Sequence, residues 1–320
     1  MGQGLYIDLN DGRPAMEITS GLRAPSYCGS FGSIPAGTTS YTFTMPTCFP
    51  GGSDGFFFSL KPATIKEVYP TTNVCWISNV TKLNSTQWKV DFGYANGPGW
   101  EGDTVLVSGL FFEIGYPSNS GAGLYIRDST DFTTITTNSN LLCCTYAGNI
   151  TFTGTYNLPS GTVVAFGRWD DPNVVVERSG NTIKCTRIAL GSNYVTVDAT
   201  VNMDLVVFRR QTPAAGNAGL VMRNASGQVV FSTAQRPFVF GGTFNMANGN
   251  QYIGNAFVPI ARYGALTEKK INMHYYYYYG AIRSGGYIRP SRGSLIVART
   301  NGRDVNAIAN INYPLLPAMY

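Results

Sequence analysis

Apolar and polar residues alternate along much of this chain. Tyr41-Thr42-Phe43-Thr44-Met45, Trp88-Lys89-Val90-Asp91-Phe92 and Tyr194-Val195-Thr196-Val197-Asp198 each put every second side chain on one face, the pattern of half-buried strands. Val105-Leu106-Val107 and Leu205-Val206-Val207-Phe208 are continuously apolar and read as central strands covered on both faces. No segment of helical length carries a 3.6-residue period with caps. The pattern therefore predicts an all-β chain with little or no helix.

A short cassette recurs three times within this pattern: Gly2-Gln3-Gly4-Leu5-Tyr6-Ile7-Asp8, Gly121-Ala122-Gly123-Leu124-Tyr125-Ile126-Arg127 and Asn217-Ala218-Gly219-Leu220-Val221-Met222-Arg223. Each copy is expected to open a β-hairpin. Asn10-Asp11-Gly12 and Asn224-Ala225-Ser226-Gly227 supply turns for the first and third, because glycine adopts the positive φ of a tight turn without steric cost. The second copy, with Asp128-Ser129-Thr130-Asp131, has no turn glycine and must turn differently. Pro117-Ser118-Asn119-Ser120-Gly121 and Gln211-Thr212-Pro213-Ala214-Ala215-Gly216 read as linkers. The expected organisation is three tandem small β-sandwich, immunoglobulin-like domains at 1–117, 118–213 and 214–320.

Composition agrees with many short strands and tight turns: 44% of residues are apolar, with 37 glycines and 17 prolines. Only 13% are charged, about half the usual share for a soluble domain, so Ser, Thr, Asn and Tyr carry the polar surface. The net charge of +5 is too small to indicate a nucleic-acid partner. No run approaches the roughly 20 apolar residues of a membrane-spanning helix. The first residues lack the basic-then-apolar order of a secretory signal, so synthesis in a cytosol is expected. Six cysteines at irregular spacings, with no C-x-x-C pair, read as buried thiols outside disulfides. Sequons at Asn79, Asn84, Asn149 and Asn224 are read as products of Asn/Ser/Thr-rich turns.

Catalytic material is sparse. The single histidine, His274, stands beside five tyrosines and reads as structural, and no G-x-S-x-G elbow, Walker loop or H-E-x-x-H accompanies it. Glu101/Asp103 and Asp170/Asp171 are expected to be turn or surface carboxylates. No metal or cofactor is expected. The sharpest anomaly is C-terminal: no acidic residue lies between Glu268 and Asp304, while Lys269, Lys270, Arg283, Arg289, Arg292, Arg299 and Arg303 do. Tyr275, Tyr277, Tyr279 and Tyr287 are interleaved with Arg283, Arg289 and Arg292. Arginine recognises phosphate or carboxylate bidentately, and tyrosine offers a flat amphipathic surface. These seven residues are the candidate contact for a partner protein or a glycan.

The hairpin cassettes, above all Gly219-Leu220-Val221-Met222-Arg223-Asn224-Ala225-Ser226-Gly227-Gln228-Val229-Val230-Phe231-Ser232, resemble those of tailed-bacteriophage virion proteins of the tail-tip and tail-fibre type. The likeness extends to Gly4-Leu5-Tyr6-Ile7-Asp8-Leu9-Asn10-Asp11-Gly12-Arg13-Pro14 and covers the hairpins alone. It implies a structural virion protein at the tail tip or fibre attachment region of a long-tailed phage, assembled in the host cytoplasm. Other tail proteins would be its partners, and a homo-oligomer, a trimer or a hexamer ring, its working state. It brings no catalytic residues, and no enzymatic activity is expected. The alternative is a receptor-binding protein or adhesin that grips host surface glycan through the C-terminal domain. A glycan depolymerase is a third class and would need a carboxylate pair on a long groove.

Overall fold

The computed structural model describes residues 4–8, 12, 14–19, 22–49, 53–68, 71–95, 104–115, 123–125, 134–136, 140–192, 194–216 and 219–320. The Glu101/Asp103 pair, the linker at 117–121, the second cassette's turn and parts of all three cassettes lie outside these residues. Among the described residues every regular element is a strand, apart from one 3-10 turn at Met246–Asn248. The chain is all-β.

The first third begins with a two-stranded hairpin, β1 (Gly4–Ile7) and β2 (Met16–Thr19). Then come β3 (Ser26–Phe31), β4 (Ile34–Pro35), β5 (Ser40–Thr44), β6 (Ser53–Lys61) and β7 (Ala63–Val68). β8 (Thr71–Lys82), β9 (Gln87–Ala95), β10 (Thr104–Val105) and β11 (Ser108–Gly115) complete it. Beside the short β4–β10 pair, two larger sheets result, an inner one ordered β3-β11-β6 and an outer one ordered β5-β9-β8-β7. Apolar continuity puts β11 at the centre, buried at seven of its eight positions. Alternation makes β9 half-buried, with Trp88, Val90 and Phe92 inward. The Val105-Leu106-Val107 run is not one strand: Val105 and Val107 are buried but Leu106 is 54% exposed. Val107 N donates to Val105 O, a three-residue turn that swings the middle side chain outward.

The second third repeats this order. Its hairpin is β12 (Gly123–Tyr125) with β13 (Thr134–Thr136), followed by β14 (Cys143–Thr153), β15 (Thr155–Asn157) and β16 (Thr162–Arg168). β17 (Asp171–Ser179), β18 (Thr182–Ile188), β19 (Thr196–Asp198) and β20 (Thr200–Arg209) follow. The inner order β14-β20-β16 matches β3-β11-β6, and the outer order β15-β18-β17 matches β5-β9-β8.

In the last third the hairpin is β21 (Val221–Arg223) with β22 (Val229–Ser232). There follow β23 (Thr243–Phe244), β24 (Gln251–Tyr252), β25 (Val258–Pro259), β26 (Gly264–Lys270) and β27 (Met273–Ser284). β28 (Tyr287–Arg299), β29 (Val305–Ile308) and β30 (Tyr313–Pro314) end the chain. β24-β28-β27-β26 again has the outer order, while the inner sheet shrinks to β23-β30 and a bridge between Phe257 and Leu316.

Strands on either side of the expected 213/214 boundary share two sheets. β16 pairs with β25, and β17 pairs with β27. The segment around Phe238 explains why the thirds adhere. Its backbone bonds to Leu142 and Cys144 on one side and, at Phe240, to Arg23 on the other. The Phe238 ring lies 5.9 Å from Phe112, 5.4 Å from Phe166 and 5.3 Å from Phe208, and Phe240 stacks on Phe56 at 4.6 Å. One apolar cluster consequently runs from Met16 to Tyr320.

Candidate functional site

The arginine–tyrosine stretch forms the hairpin β27–β28, and β26 flanks the first half of β27 on its other edge. With covered edges and packed faces, most of its tyrosines point into protein. Tyr277 is fully buried and its hydroxyl donates to Tyr194 O, while Tyr279 donates to Asn306 Oδ1 at 3.0 Å. Burial pushes both phenols up to about 12. Tyr275 is half-buried, its ring 4.8 Å from Tyr194. Arg292, half-buried, is paired with Glu268 through contacts of 2.6 and 2.8 Å. Arg283 is buried and donates to Trp169 O and, at 2.9 Å, to Gly254 O. Tyr287 and Arg289 are exposed. Arg289 lines a separate groove with Arg187, Ile188 and Leu190. The seven residues therefore do not make one exposed face.

What the structure brings together instead lies at the end of β27. There the turn through Gly285 and Gly286, the β16–β17 connection and β24 border an open cleft of about 640 Å3. Arg283 is on its wall, and Tyr287 stands beside it against Tyr252, the rings edge to face at 5.2 Å. Asp204 accepts from Arg168 at 2.8 and 3.1 Å and from Asn149 at 3.1 Å. Burial raises that carboxyl, but these bonds outweigh it and hold the group below its usual range. Asp170 accepts from Gly285 N at 2.7 Å, which likewise lowers it. The positive φ at Gly285 (58°) and Gly286 (76°) lets the turn fold tightly here. Periodicity does not reveal Tyr252, Arg168, Asp204 or Trp169. Their one local signal is the Gly-Gly pair before Tyr287.

A family model described as a family of unknown function, DUF6453, matches residues 4–301, from the first hairpin to just beyond β28. The chain belongs to this DUF6453 family. No curated protein and no solved structure matches it.

Elsewhere in this DUF6453 chain, two further polar clusters are largely buried. Cys28, Cys48 and Glu113 have their ligand-type atoms within 4.8 Å of one another, the one such set among the described residues. Glu113 is already engaged by Thr47, Cys48 N and Lys82, the last at 3.1 Å, so its oxygens are committed to protein donors. None of the six cysteines is in a disulfide, and five are buried. The second cluster gathers one ionic group from each third: Lys61, Glu177 and Arg262. Arg262 lies 3.4 Å from Glu177 and 3.8 Å over the Tyr278 ring. Burial, and secondarily Arg262, pushes Lys61 down to about 8. His274 is buried, with its Nε2 3.8 Å from Asp304 Oδ1.

Proposed function

We propose that this DUF6453 member is a structural protein of a long-tailed bacteriophage virion, located at the tail tip or fibre attachment region. It would be built of three β-sandwich units and act by subunit assembly rather than catalysis. The supporting observation is the behaviour of the cassettes that carry the likeness to tail proteins. All three fold as hairpins, and in each the two strands form a sheet of their own, with no further strand hydrogen-bonded to either edge among the described residues. An isolated two-stranded ribbon is marginal in water, and an open strand edge is a template for another chain. Here buried Met16 on β2 and Phe231 on β22 tie two of the ribbons to the core. In this reading the free edges take a strand from a neighbouring subunit, main chain to main chain.

The experiment is to label this protein in intact particles and image them. Label at the tail tip or fibre base is expected, in three or six copies. Particles that carry no label would remove the proposal.

A further inference from the structure

We propose that the cleft between the second and third stretches of the chain binds a neutral saccharide. Its volume, about 640 Å3, falls within the range of small-ligand sites. Two features argue for sugar over other ligands. The first is the rim: Tyr252 is 71% exposed and Tyr287 46% exposed, although their rings touch. Aromatic faces held open to solvent beside polar groups suit the mixed surface of a pyranose, whose C–H face stacks while its hydroxyls hydrogen-bond.

The second feature is the electrostatic balance of the wall. Arg168 is neutralised by Asp204, and Arg283 donates its terminal nitrogens to two carbonyls. Asp170 supplies one further fixed acceptor. A phosphate or carboxylate would meet two carboxylates and no uncommitted guanidinium, and a cation would meet two arginines. An uncharged ligand with both donors and acceptors meets no such penalty. Asn149, Asn202 and Asn255 line the same cleft and offer both.

The site does not depend on the assembly reading. A chain absent from virions could still bind sugar, and a tail subunit could lack the site. The test is calorimetric titration of the full chain with methyl glycosides of glucose, galactose, mannose, rhamnose and N-acetylglucosamine, and with the sugar-only core released from lipopolysaccharide. Inorganic phosphate is the charged control. Saturable binding of at least one saccharide is expected, weakened about tenfold by Tyr252→Ala, which loses the stacking surface. Asp170→Asn should weaken it as well, and Arg289→Ala, in the separate groove, should leave it unchanged. Both Tyr252 and Asp170 are exposed, so these variants keep the fold. No saccharide bound through the millimolar range, equal binding by Tyr252→Ala, or preference for phosphate would each overturn the proposal.

Discussion

Glu177 is fully buried, and burial pushes its carboxyl above the usual range even with Arg262 against it. A pair of this kind contributes little net stability when intact, because desolvation offsets attraction, yet breaking it strands a charge. Arg262→Ala is therefore expected to cost about 3–5 kcal/mol, read from the shift of the urea midpoint. Removing both charges at once, in Glu177→Gln with Arg262→Met, should cost much less. If the single and double variants are equally destabilised, the loss comes from packing on Tyr278 and not from the charge. Neither residue is distinctive in the sequence: their meeting depends on two segments 85 positions apart.

At the scale of the element, turn chemistry decides what was legible. In the first hairpin Leu5 faces Ile18, and in the third Thr233 N donates to Leu220 O, the same separation along the chain. Gly12 and Gly227 sit at matching offsets with φ of 76° and 79°. The second hairpin pairs Leu124 with Ile135, two residues closer along the chain, and its turn lies outside the described residues. The seam between β17 and β27 was invisible, because an edge-to-edge join leaves no periodic trace. Gly280 marks it: a methyl group there would lie 2.6 Å from Val175 Cγ1 and 2.7 Å from Val176 O. Gly280→Ala should lower stability by about 1–3 kcal/mol, the cost of overpacking, because the contact includes backbone that cannot rotate away. An unchanged midpoint in urea would mean the two strands are not held this closely.

For the whole molecule, the tyrosines set the response to alkali. Tyr263, Tyr313 and Tyr320 are buried with their phenols raised by desolvation, and Tyr277 and Tyr279 are raised to about 12. Unfolded tyrosine ionises near pH 10, so above that pH the unfolded chain sheds protons that the folded chain retains. The stabilisation is complete below pH 10 and is lost as pH rises, by about 1.4 kcal/mol per unit for each such phenol. Lys61, lowered to about 8, acts oppositely, adding stability between pH 8 and its unfolded value, but it is one group against several. The expected outcome is a steep loss of folded signal above pH 10, coincident with tyrosinate absorbance. Gradual ionisation of every tyrosine near pH 10, with the fold intact, would show that the phenols are not buried.

Local order was carried by the chain itself. Strand periodicity follows from side chains alternating across a pleat, and hairpin turns follow from glycine's freedom at positive φ, so the all-β class and the cassette hairpins could be read directly. The arginine–tyrosine stretch was equally visible as an anomaly. Its exposure was not, because whether Tyr277 faces water depends on packing against Tyr194, over 80 residues away. Tertiary structure alone decided that β16 and β17 join the last third and that Phe238 ties all three thirds into one core. It also placed a cleft where Arg168, Asp204, Tyr252 and Arg283 converge. Such contacts arise from surfaces that match only after each sheet has formed, and no spacing along the chain encodes them.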